Sequence, residues 1–332
     1  MAYVIVGASA SGINAAKTLL EHDKNLEIII VSKDEYVYSR CILHHFLDGR
    51  REIEALDFTP NNFFEMYKIK WIKGVEVIGI DVKEKKLKLS NNEDLSYDKV
   101  LLAAGSSSFL PPIENLRTAN NVIGLRNLDD AIKIKEEARK VKNVAILGAG
   151  LVGVDALAGL LDYDVSITLI EMGDRILPLQ LDNYAANVYQ ERLKEEGVNF
   201  KFGVRAAKVI VDDNNHPISI KLNTGEEVPC ELIIACTGVR ANVGFLKDSG
   251  IDCDKFGLII NSKGETNVKD VYGAGDITGR NPIWPTAVKE GIIAANNMLG
   301  KEIYMNDFFG SKNTMNFCGV ATMSLGIVNK PD

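Results

Sequence analysis

Apolar and polar residues near the N-terminus follow an order that predicts a β-strand, a turn, a helix and a second strand. An apolar run at residues 3–6 leads into a glycine-containing turn at 7–12, helix-spaced apolar residues reach about His22, and a second apolar run covers 27–31. Short apolar runs bounded by glycine are typical of buried parallel strands. The order is that of a βαβ unit.

The same order of elements returns in the second half of the chain. A strand is predicted at 143–147, a glycine-rich turn at 148–153, a helix to about Tyr163 and a strand at 165–170. Two βαβ units in one chain predict two separate nucleotide sites.

The segments outside these units are less regular. Alternating patterns at 71–82 and 85–89 predict a small antiparallel sheet, and helical periodicity predicts helices at 129–142 and 286–299. Residues 307–332 are apolar and contain glycine, but they are too few to form a third domain of their own.

Composition narrows the classes of function. The chain has 332 residues, 46% of them hydrophobic and 25% charged, an ordinary globular composition that is long enough for two domains. A net charge of −7 argues against nucleic acid or an anionic membrane as the main partner, because both favour basic surfaces. The sequence contains neither a signal peptide nor an apolar run of the ~20 residues needed to span a bilayer. Five cysteines without a CxxC pair fit a reducing cytoplasm.

The second turn carries a complete GxGxxG motif, Gly148-Ala149-Gly150-Leu151-Val152-Gly153. Its first glycine permits the tight turn, the second lets the backbone approach a pyrophosphate, and the third lets helix and strand pack closely. The helix N-terminus at Leu151 and Val152 offers free N–H groups to phosphate. Glu171 ends the next strand, where a carboxylate would accept hydrogen bonds from an adenosine ribose and repel a 2′-phosphate. NADH is therefore favoured over NADPH, although Arg175 could bind that phosphate if it swung inward.

The first turn, Gly7-Ala8-Ser9-Ala10-Ser11-Gly12, departs from this motif at its second glycine. Ser9 is small enough to leave room for a phosphate, and its hydroxyl could donate to one. The residue that would bind the ribose is left open here. Ser32 stands where an acid is expected, and it is followed by Lys33, Asp34 and Glu35.

Two later segments share a design. The predicted strand at 97–106 ends in Ala103-Ala104-Gly105, and the one at 232–242 ends in small residues around Gly238. Small residues at such strand ends allow the chain to cross close to a bound nucleotide. Residues 266–276 then end in Gly275-Asp276, whose carboxylate could accept a hydrogen bond from the ribityl chain of a flavin.

In this order, the segments resemble the flavoprotein reductases of the pyridine nucleotide-disulfide oxidoreductase superfamily over about residues 1–325. The resemblance implies an α/β fold with two Rossmann-like dinucleotide-binding domains of the three-layer ββα type, one for FAD and an inserted one for NADH. It predicts FAD-binding segments at 1–112 and 241–304 around a NAD-binding domain at 113–240. Residues 305–332 would begin an interface domain through which family members are often homodimeric. With most of that domain missing, the chain is expected to be monomeric or weakly associating.

The segment around Cys41 bears on the branch of the superfamily. The CxxxxC dithiol of glutathione and lipoamide reductases is missing, and the chain is more similar to NADH oxidases, coenzyme A-disulfide reductases, rubredoxin reductases and the flavin domain of NADH-nitrite reductases. Cys41 matches the single redox cysteine of the oxidase and coenzyme A-disulfide branch, and Arg40 would favour its thiolate beside the flavin. Tyr38-Ser39-Arg40 is closer to the rubredoxin-reductase and nitrite-reductase branch, where no cysteine is needed. Both alternatives are left open.

Further positions complete the predicted site. The resemblance puts Asp155 where the family has a glutamate near the flavin N5 and the nicotinamide, and Trp284 beside the pyrimidine end of the flavin. Leu151 stands where an aromatic often covers the nicotinamide pocket. No metal site is predicted, because His44 and His45 project to different sides of a helix and lack a sufficient ligand set.

The predicted activity is that of an FAD-dependent NADH:acceptor oxidoreductase. Hydride would pass from NADH to flavin N5, and electrons would then leave to a small redox protein or a partner subunit, such as rubredoxin or ferredoxin. One alternative uses Cys41 to reduce oxygen, peroxide or a low-molecular-weight disulfide. A second alternative is a redox sensor that binds nucleotide without turnover.

Overall fold

The computed structural model describes residues 1–306 and 312–328, which form two compact units. The first unit contains residues 1–39, 55–107 and 240–306, and the second contains 40–54, 108–239 and 312–328. The sequence-based boundaries keep 40–54 in the first domain, whereas the structure groups this segment with the second unit. Of the predicted interface domain, residues 307–311 and 329–332 lie outside the described residues.

Helices and strands alternate through both units. The helices are α1 (Ala10–His22), α2 (Leu43–Leu47), α3 (Phe63–Met66), α4 (Leu128–Glu137), α5 (Leu151–Ala158), α6 (Asn183–Glu195) and α7 (Trp284–Met298). The strands are β1 (Ala2–Val6), β2 (Glu27–Ser32), β3 (Lys70–Lys73), β4 (Val77–Asp81), β5 (Lys86–Leu89), β6 (Asp94–Ser96), β7 (Lys99–Leu102), β8 (Ser106–Ser108), β9 (Val122–Gly124), β10 (Asn143–Leu147), β11 (Ser166–Ile170), β12 (Asn199–Lys201), β13 (Ala206–Val211), β14 (Pro217–Leu222), β15 (Glu227–Pro229), β16 (Leu232–Ala235), β17 (Val239–Ala241), β18 (Val271–Gly273), β19 (Lys312–Phe317) and β20 (Val320–Leu325).

The first unit has three layers. A parallel sheet with strand order β18-β7-β1-β2-β3 forms the middle layer. Helices α1 and α7 cover one face, where Ala16 and Ala294 belong to the same buried cluster as Ile5. The antiparallel sheet β4-β5-β6 covers the other face, where Leu87 packs in a cluster with Val4. Because both faces are covered, the parallel strands are apolar on both sides.

The second unit repeats this plan. Its parallel sheet has the order β12-β11-β10-β16-β9, and the antiparallel sheet β13-β14-β15 packs on one face through a cluster that includes Val209, Ile220 and Leu147. The predicted α/β fold with two Rossmann-like domains of the ββα type is thereby confirmed. None of the described residues belongs to a helix long and apolar enough to cross a bilayer.

Three elements differ from the sequence-based expectation, and one of them is α4, which ends at Glu137 rather than near residue 142. Strand β3 is the edge of the parallel sheet and pairs with β2, although its alternating pattern suggested the small antiparallel sheet. Its two apolar residues, Trp71 and Ile72, are half-buried between exposed lysines, as expected of an edge strand. Helix α5 ends at Ala158 rather than near Tyr163. The apolar residue Leu160, which suggested a longer helix, is buried in the turn that follows.

Strands β19 and β20 form an antiparallel hairpin in the second unit. The hairpin packs on α6 through Tyr189, which is fully buried. The hydroxyl of Tyr189 donates to the carbonyl oxygen of Val320 at 2.7 Å, and its ring lies 5.9 Å from the ring of Phe317. The hairpin, which lies in the predicted interface domain, therefore packs on a helix of the same chain.

Candidate functional site

The second glycine-rich turn connects β10 to α5 as predicted. The backbone N–H of Gly148 donates to Ile170 O at 2.8 Å. A Cβ atom added to Gly148 would lie 2.5 Å from Cys236 O, and one added to Gly153 would lie 1.9 Å from Gly148 O. Both distances are far below van der Waals contact, so glycine is required at these positions by the protein itself.

Gly150, between them, meets a different environment. A Cβ atom added to Gly150 would have no described protein atom within 4 Å. The packing of the unit therefore does not require glycine at this position. Open space in front of the backbone at a helix N-terminus is what a dinucleotide pyrophosphate needs, so this turn fits the cofactor that the motif implies.

The first turn, between β1 and α1, has nearly the same backbone arrangement. Gly7 N donates to Val31 O at 2.8 Å, and a Cβ atom on Gly7 would lie 2.2 Å from Ala103 O. A Cβ atom on Gly12 would lie 1.9 Å from Gly7 O. Ser9 occupies the place of Gly150 and is the N-cap of α1, with an extended backbone. The crossing strand end at Ala103 thus approaches the turn closely, as the small residues there predict.

Glu171 lies against the second turn. Its carboxylate oxygens accept hydrogen bonds from Ala149 N and Gly173 N, each at 2.7 Å. Arg175 has three contacts with other groups: Nη1 lies 2.7 Å from Asp174 Oδ1, and the guanidinium donates to the carbonyl oxygens of Pro178 and Leu181. The side chain of the neighbouring arginine is thus engaged by these three oxygens.

The corresponding position of the first unit has no such acid. Ser32 is buried, donates through Oγ to Asp34 O at 2.8 Å and accepts from Trp71 Nε1 at 2.9 Å. Lys33 and Glu35 are exposed. The hydroxyl of Ser32 therefore has two partners within the protein, and its predicted contact with a ribose stays a prediction.

A second cluster in the first unit surrounds Gly275-Asp276. Ser106 Oγ donates to Asp276 Oδ2 at 3.2 Å, and Gly275 has φ +80, so its left-handed backbone favours glycine. A Cβ atom on Gly275 would lie 2.6 Å from Ser11 Oγ, at the start of α1. The predicted FAD-binding residues of the first turn and of this segment are thereby neighbours. Trp284, at the start of α7, packs edge-on against the ring of Phe58 at 4.8 Å.

The sequence reasoning missed Glu290 in this cluster. Its side chain is buried, and its Oε2 accepts a hydrogen bond from Gly275 N at 2.7 Å. Burial raises the pKa of this carboxyl group to about 7, with a smaller contribution from the neighbouring Asp276. The available signal was an acid directly before the apolar residues 291–295 of α7.

Arg40 and Cys41 lie on a short 3-10 helix at Arg40–Ile42, in the second unit. Cys41 is exposed. The guanidinium of Arg40 donates to Asn127 Oδ1 at 3.4 Å, next to the N-terminus of α4. The predicted contacts of both residues with a flavin stay predictions.

Asp155 lies on α5, five residues beyond Gly150. Its Oδ1 is 3.5 Å from His44 Nδ1, and burial raises the pKa of Asp155 to about 7. Leu151 is half-buried, Val152 is exposed, and Gly238 follows β16 with φ +106. Within the described ranges, the His, Cys, Asp and Glu side chains form no group of three that could hold a metal ion.

Comparison with known proteins places this geometry in a family. Residues 1–291 match the family described as pyridine nucleotide-disulphide oxidoreductase. The chain is 28% identical to NADH oxidase of Methanocaldococcus jannaschii over 91% of this chain and 71% of that protein. It is 26% identical to NADH-rubredoxin oxidoreductase of Clostridium acetobutylicum over 99% of this chain and 83% of that protein. Its fold matches the NAD-dependent persulfide reductase from A. fulgidus with a TM-score of 0.87 and 24% identity, covering 96% of this chain and 62% of that structure. The chain therefore belongs to the pyridine nucleotide-disulphide oxidoreductase family, whose members are FAD- and NAD(P)H-dependent oxidoreductases.

Proposed function

We propose that this oxidoreductase takes hydride from NADH, in preference to NADPH, and passes the electrons to a small redox protein or partner subunit. The observation that carries the NADH preference is the carboxylate of Glu171, held against the glycine-rich turn by Ala149 N and Gly173 N at 2.7 Å each. A carboxylate there accepts ribose hydroxyls and repels a 2′-phosphate. Arg175 contacts Asp174 and two carbonyl oxygens, and these contacts would have to break before its guanidinium could bind that phosphate.

The chain's own residues supply binding and position. Gly148 to Gly153 offer N–H groups and open space to the pyrophosphate of the nicotinamide dinucleotide, and Gly7 to Gly12 do the same for FAD with Ser9 in the middle. Asp276, which accepts from Ser106, would hold the ribityl chain. When bound, FAD supplies the redox chemistry: it accepts hydride and releases electrons to the second substrate.

A protein acceptor is supported by the rubredoxin oxidoreductase relative, which aligns with 99% of this chain, and by the Tyr-Ser-Arg sequence before Cys41. The second candidate is thiol-assisted reduction of oxygen, peroxide or a small disulfide. One observation favours it: Cys41 is exposed, so small molecules could reach its sulfur.

An anaerobic titration tests the first half-reaction. The FAD-loaded protein should lose its yellow colour on addition of one equivalent of NADH, with NADPH reacting at least about tenfold more slowly. Binding of NADH without loss of colour would instead identify a sensor.

A screen of acceptors with Cys41→Ser tests the second half-reaction, with Cys253→Ser, another exposed cysteine, as the matched control. Electron transfer to rubredoxin or ferredoxin should be unchanged in both variants. Loss of disulfide or peroxide reduction in Cys41→Ser alone, with flavin reduction intact, would establish the thiol route.

A further inference from the structure

A histidine and an aspartate face each other inside the second unit. His44 on α2 and Asp155 on α5 bring Nδ1 and Oδ1 to 3.5 Å, and their side chains are 12% and 24% exposed. This is ion-pair distance, slightly longer than a well-formed hydrogen bond. Such contacts often tighten when a ligand binds.

Two acids lie close enough to act on His44: Asp155, whose Oδ1 is 3.5 Å from Nδ1, and Asp48, whose charge favours a positive imidazole. His45, whose ring centre is 4.0 Å from that of His44, has its own acid: Nδ1 lies 3.5 Å from Asp48 Oδ2, which also contacts Arg50 Nε at 2.9 Å. The ring of Phe317 lies 6.3 Å from that of His44.

Most of the groups that face this pair favour its neutral form, and one acid favours a charge on His44. Cys236, beside Asp155, is a thiol whose pKa burial raises above its ordinary range. His45 and Arg50 oppose a positive charge on His44, whereas Asp48 favours it. Within residues 1–306 and 312–328, Nδ1 of His44 and of His45 are buried without a hydrogen-bond partner of good geometry.

Burial then decides how many protons the pair holds. Loss of solvation raises the pKa of Asp155 to about 7 and lowers the pKa of His44 to about 4. Between these values the two side chains together hold one proton, either on the carboxyl group or on the imidazole. Above them Asp155 is an anion beside a neutral imidazole.

We propose that His44 is a positioning residue that shares one proton with Asp155, and that this proton sets the preference of the second dinucleotide turn between oxidised and reduced nicotinamide. The inference rests on the proposed binding of NAD(H) by that turn. Oxidised nicotinamide carries a positive charge and reduced nicotinamide does not. Release of the proton to solvent leaves a net negative charge on the helix that follows Gly150, and this charge favours NAD⁺. The neutral imidazole can donate to the carboxylate and so stabilise the anion.

A proton shared by two groups can be observed without any cofactor chemistry. NMR titration of the protein labelled with ¹³C at aspartate carboxyl and histidine ring carbons should show Asp155 and His44 responding over the same pH interval near neutrality. In Asp155→Asn the response of His44 near neutrality should disappear. A ring of His44 that does not sense the titration of Asp155 in the unmodified protein would overturn the pairing.

The effect on the dinucleotide is measured by anaerobic calorimetry with NAD⁺ and with 1,4,5,6-tetrahydro-NAD, a reduced analogue that cannot transfer hydride. From pH 6 to pH 8 the ratio of affinities should shift toward NAD⁺ by about fivefold, and Asp155→Asn should abolish the shift. Asp155→Glu should retain it. In His44→Phe, which has no side-chain donor, the midpoint should rise by about one pH unit, because the anion loses a donor.

His216→Phe is the matched control, since His216 forms an exposed pair with Asp212, with 3.8 Å between Nδ1 and Oδ1. It should behave as the unmodified protein does. Equal pH dependence in the unmodified protein and Asp155→Asn would refute the link to the dinucleotide. If neither dinucleotide binds, the proposed function fails, whereas the NMR titration still decides whether the proton is shared.

Discussion

The two glycine-rich turns share a backbone arrangement but differ in side chains within and around them. In both, the first glycine donates to the end of the next strand at 2.8 Å, and the last would collide with the first if it carried a Cβ atom. Ser9 replaces Gly150, and Ser32 replaces Glu171. At equivalent positions of the following helices, Asn14 stands where the second turn has Asp155, and it donates to Ala10 O at 2.7 Å.

This difference separates two kinds of constraint. The glycines that both turns keep are required by backbone contacts within 2.5 Å, which no ligand influences. The positions that differ face open space, or carry charge at the strand end and on the helix, where a ligand would be recognised. The shared glycines are thus required by the fold, and we propose that the variable residues distinguish the two nucleotides.

The largest expected effect comes from the shared glycines. Gly153→Ala should destabilise the second unit by about 3 kcal/mol or more, because its Cβ atom would lie 1.9 Å from Gly148 O. Gly150→Ala should change stability by less than about 0.5 kcal/mol while weakening NADH binding. Urea unfolding followed by circular dichroism, together with NADH affinity, measures both. Equal stability of the two variants would contradict the steric argument.

The next effect is the pH dependence of stability, where Asp155→Asn gives the second helix the amide that the first one has. The pKa of Asp155 is raised from 3.8 to about 7, so the folded state holds the extra proton and this contribution to stability is lost as pH rises through that range. The pKa of His44 is lowered from 6.5 to about 4, so its contribution grows with pH. In the unmodified protein the two slopes oppose each other.

Single variants should expose each slope. Relative to the unmodified protein, the free energy of unfolding of Asp155→Asn should rise between pH 4.5 and 6.5 by at most about 1.4 kcal/mol per pH unit, and that of His44→Gln should fall by a similar amount. Denaturant unfolding at several pH values measures the differences. Slopes of the same sign in both variants would show that the two groups do not titrate as described.

A smaller effect is expected from removal of the strand-end acid. Glu171→Gln should lower the ratio of kcat/KM for NADH to that for NADPH by about tenfold, because the repulsion of a 2′-phosphate is lost. Asp174→Asn, which removes a contact of Arg175 but leaves Glu171 in place, is the control. A larger effect of Asp174→Asn than of Glu171→Gln would assign the preference to the arginine.

The smallest effect is expected when the first turn is given the glycine of the second. Ser9→Gly should change stability by only a few tenths of a kcal/mol, since glycine is a good N-cap residue. FAD affinity, measured from flavin fluorescence, should change by less than about threefold, because a small side chain already leaves room for phosphate. A loss of FAD binding would show that the hydroxyl of Ser9 is an essential donor.

Much of the fold could be read from local patterns. Strand β10 has the bounds that apolar periodicity predicts, helix α1 ends at His22 as predicted, and both turns lie where their glycines are. The errors occurred where local pattern is ambiguous: β3 is a short, half-exposed edge strand, and Leu160 continues an apolar run beyond the end of α5. In both cases tertiary contacts, the pairing of β3 with β2 and the burial of Leu160, decide the local structure.

By itself, the sequence determined the two βαβ units, the glycines that close their turns and the acid at the end of β11. These features depend on sterics and periodicity over a few residues. Only the tertiary structure placed Glu290 beneath Gly275, grouped residues 40–54 with the second unit and brought His44 to Asp155. Such contacts join distant parts of the chain, and the pKa values of Glu290 and Asp155 follow from burial, which no local pattern specifies.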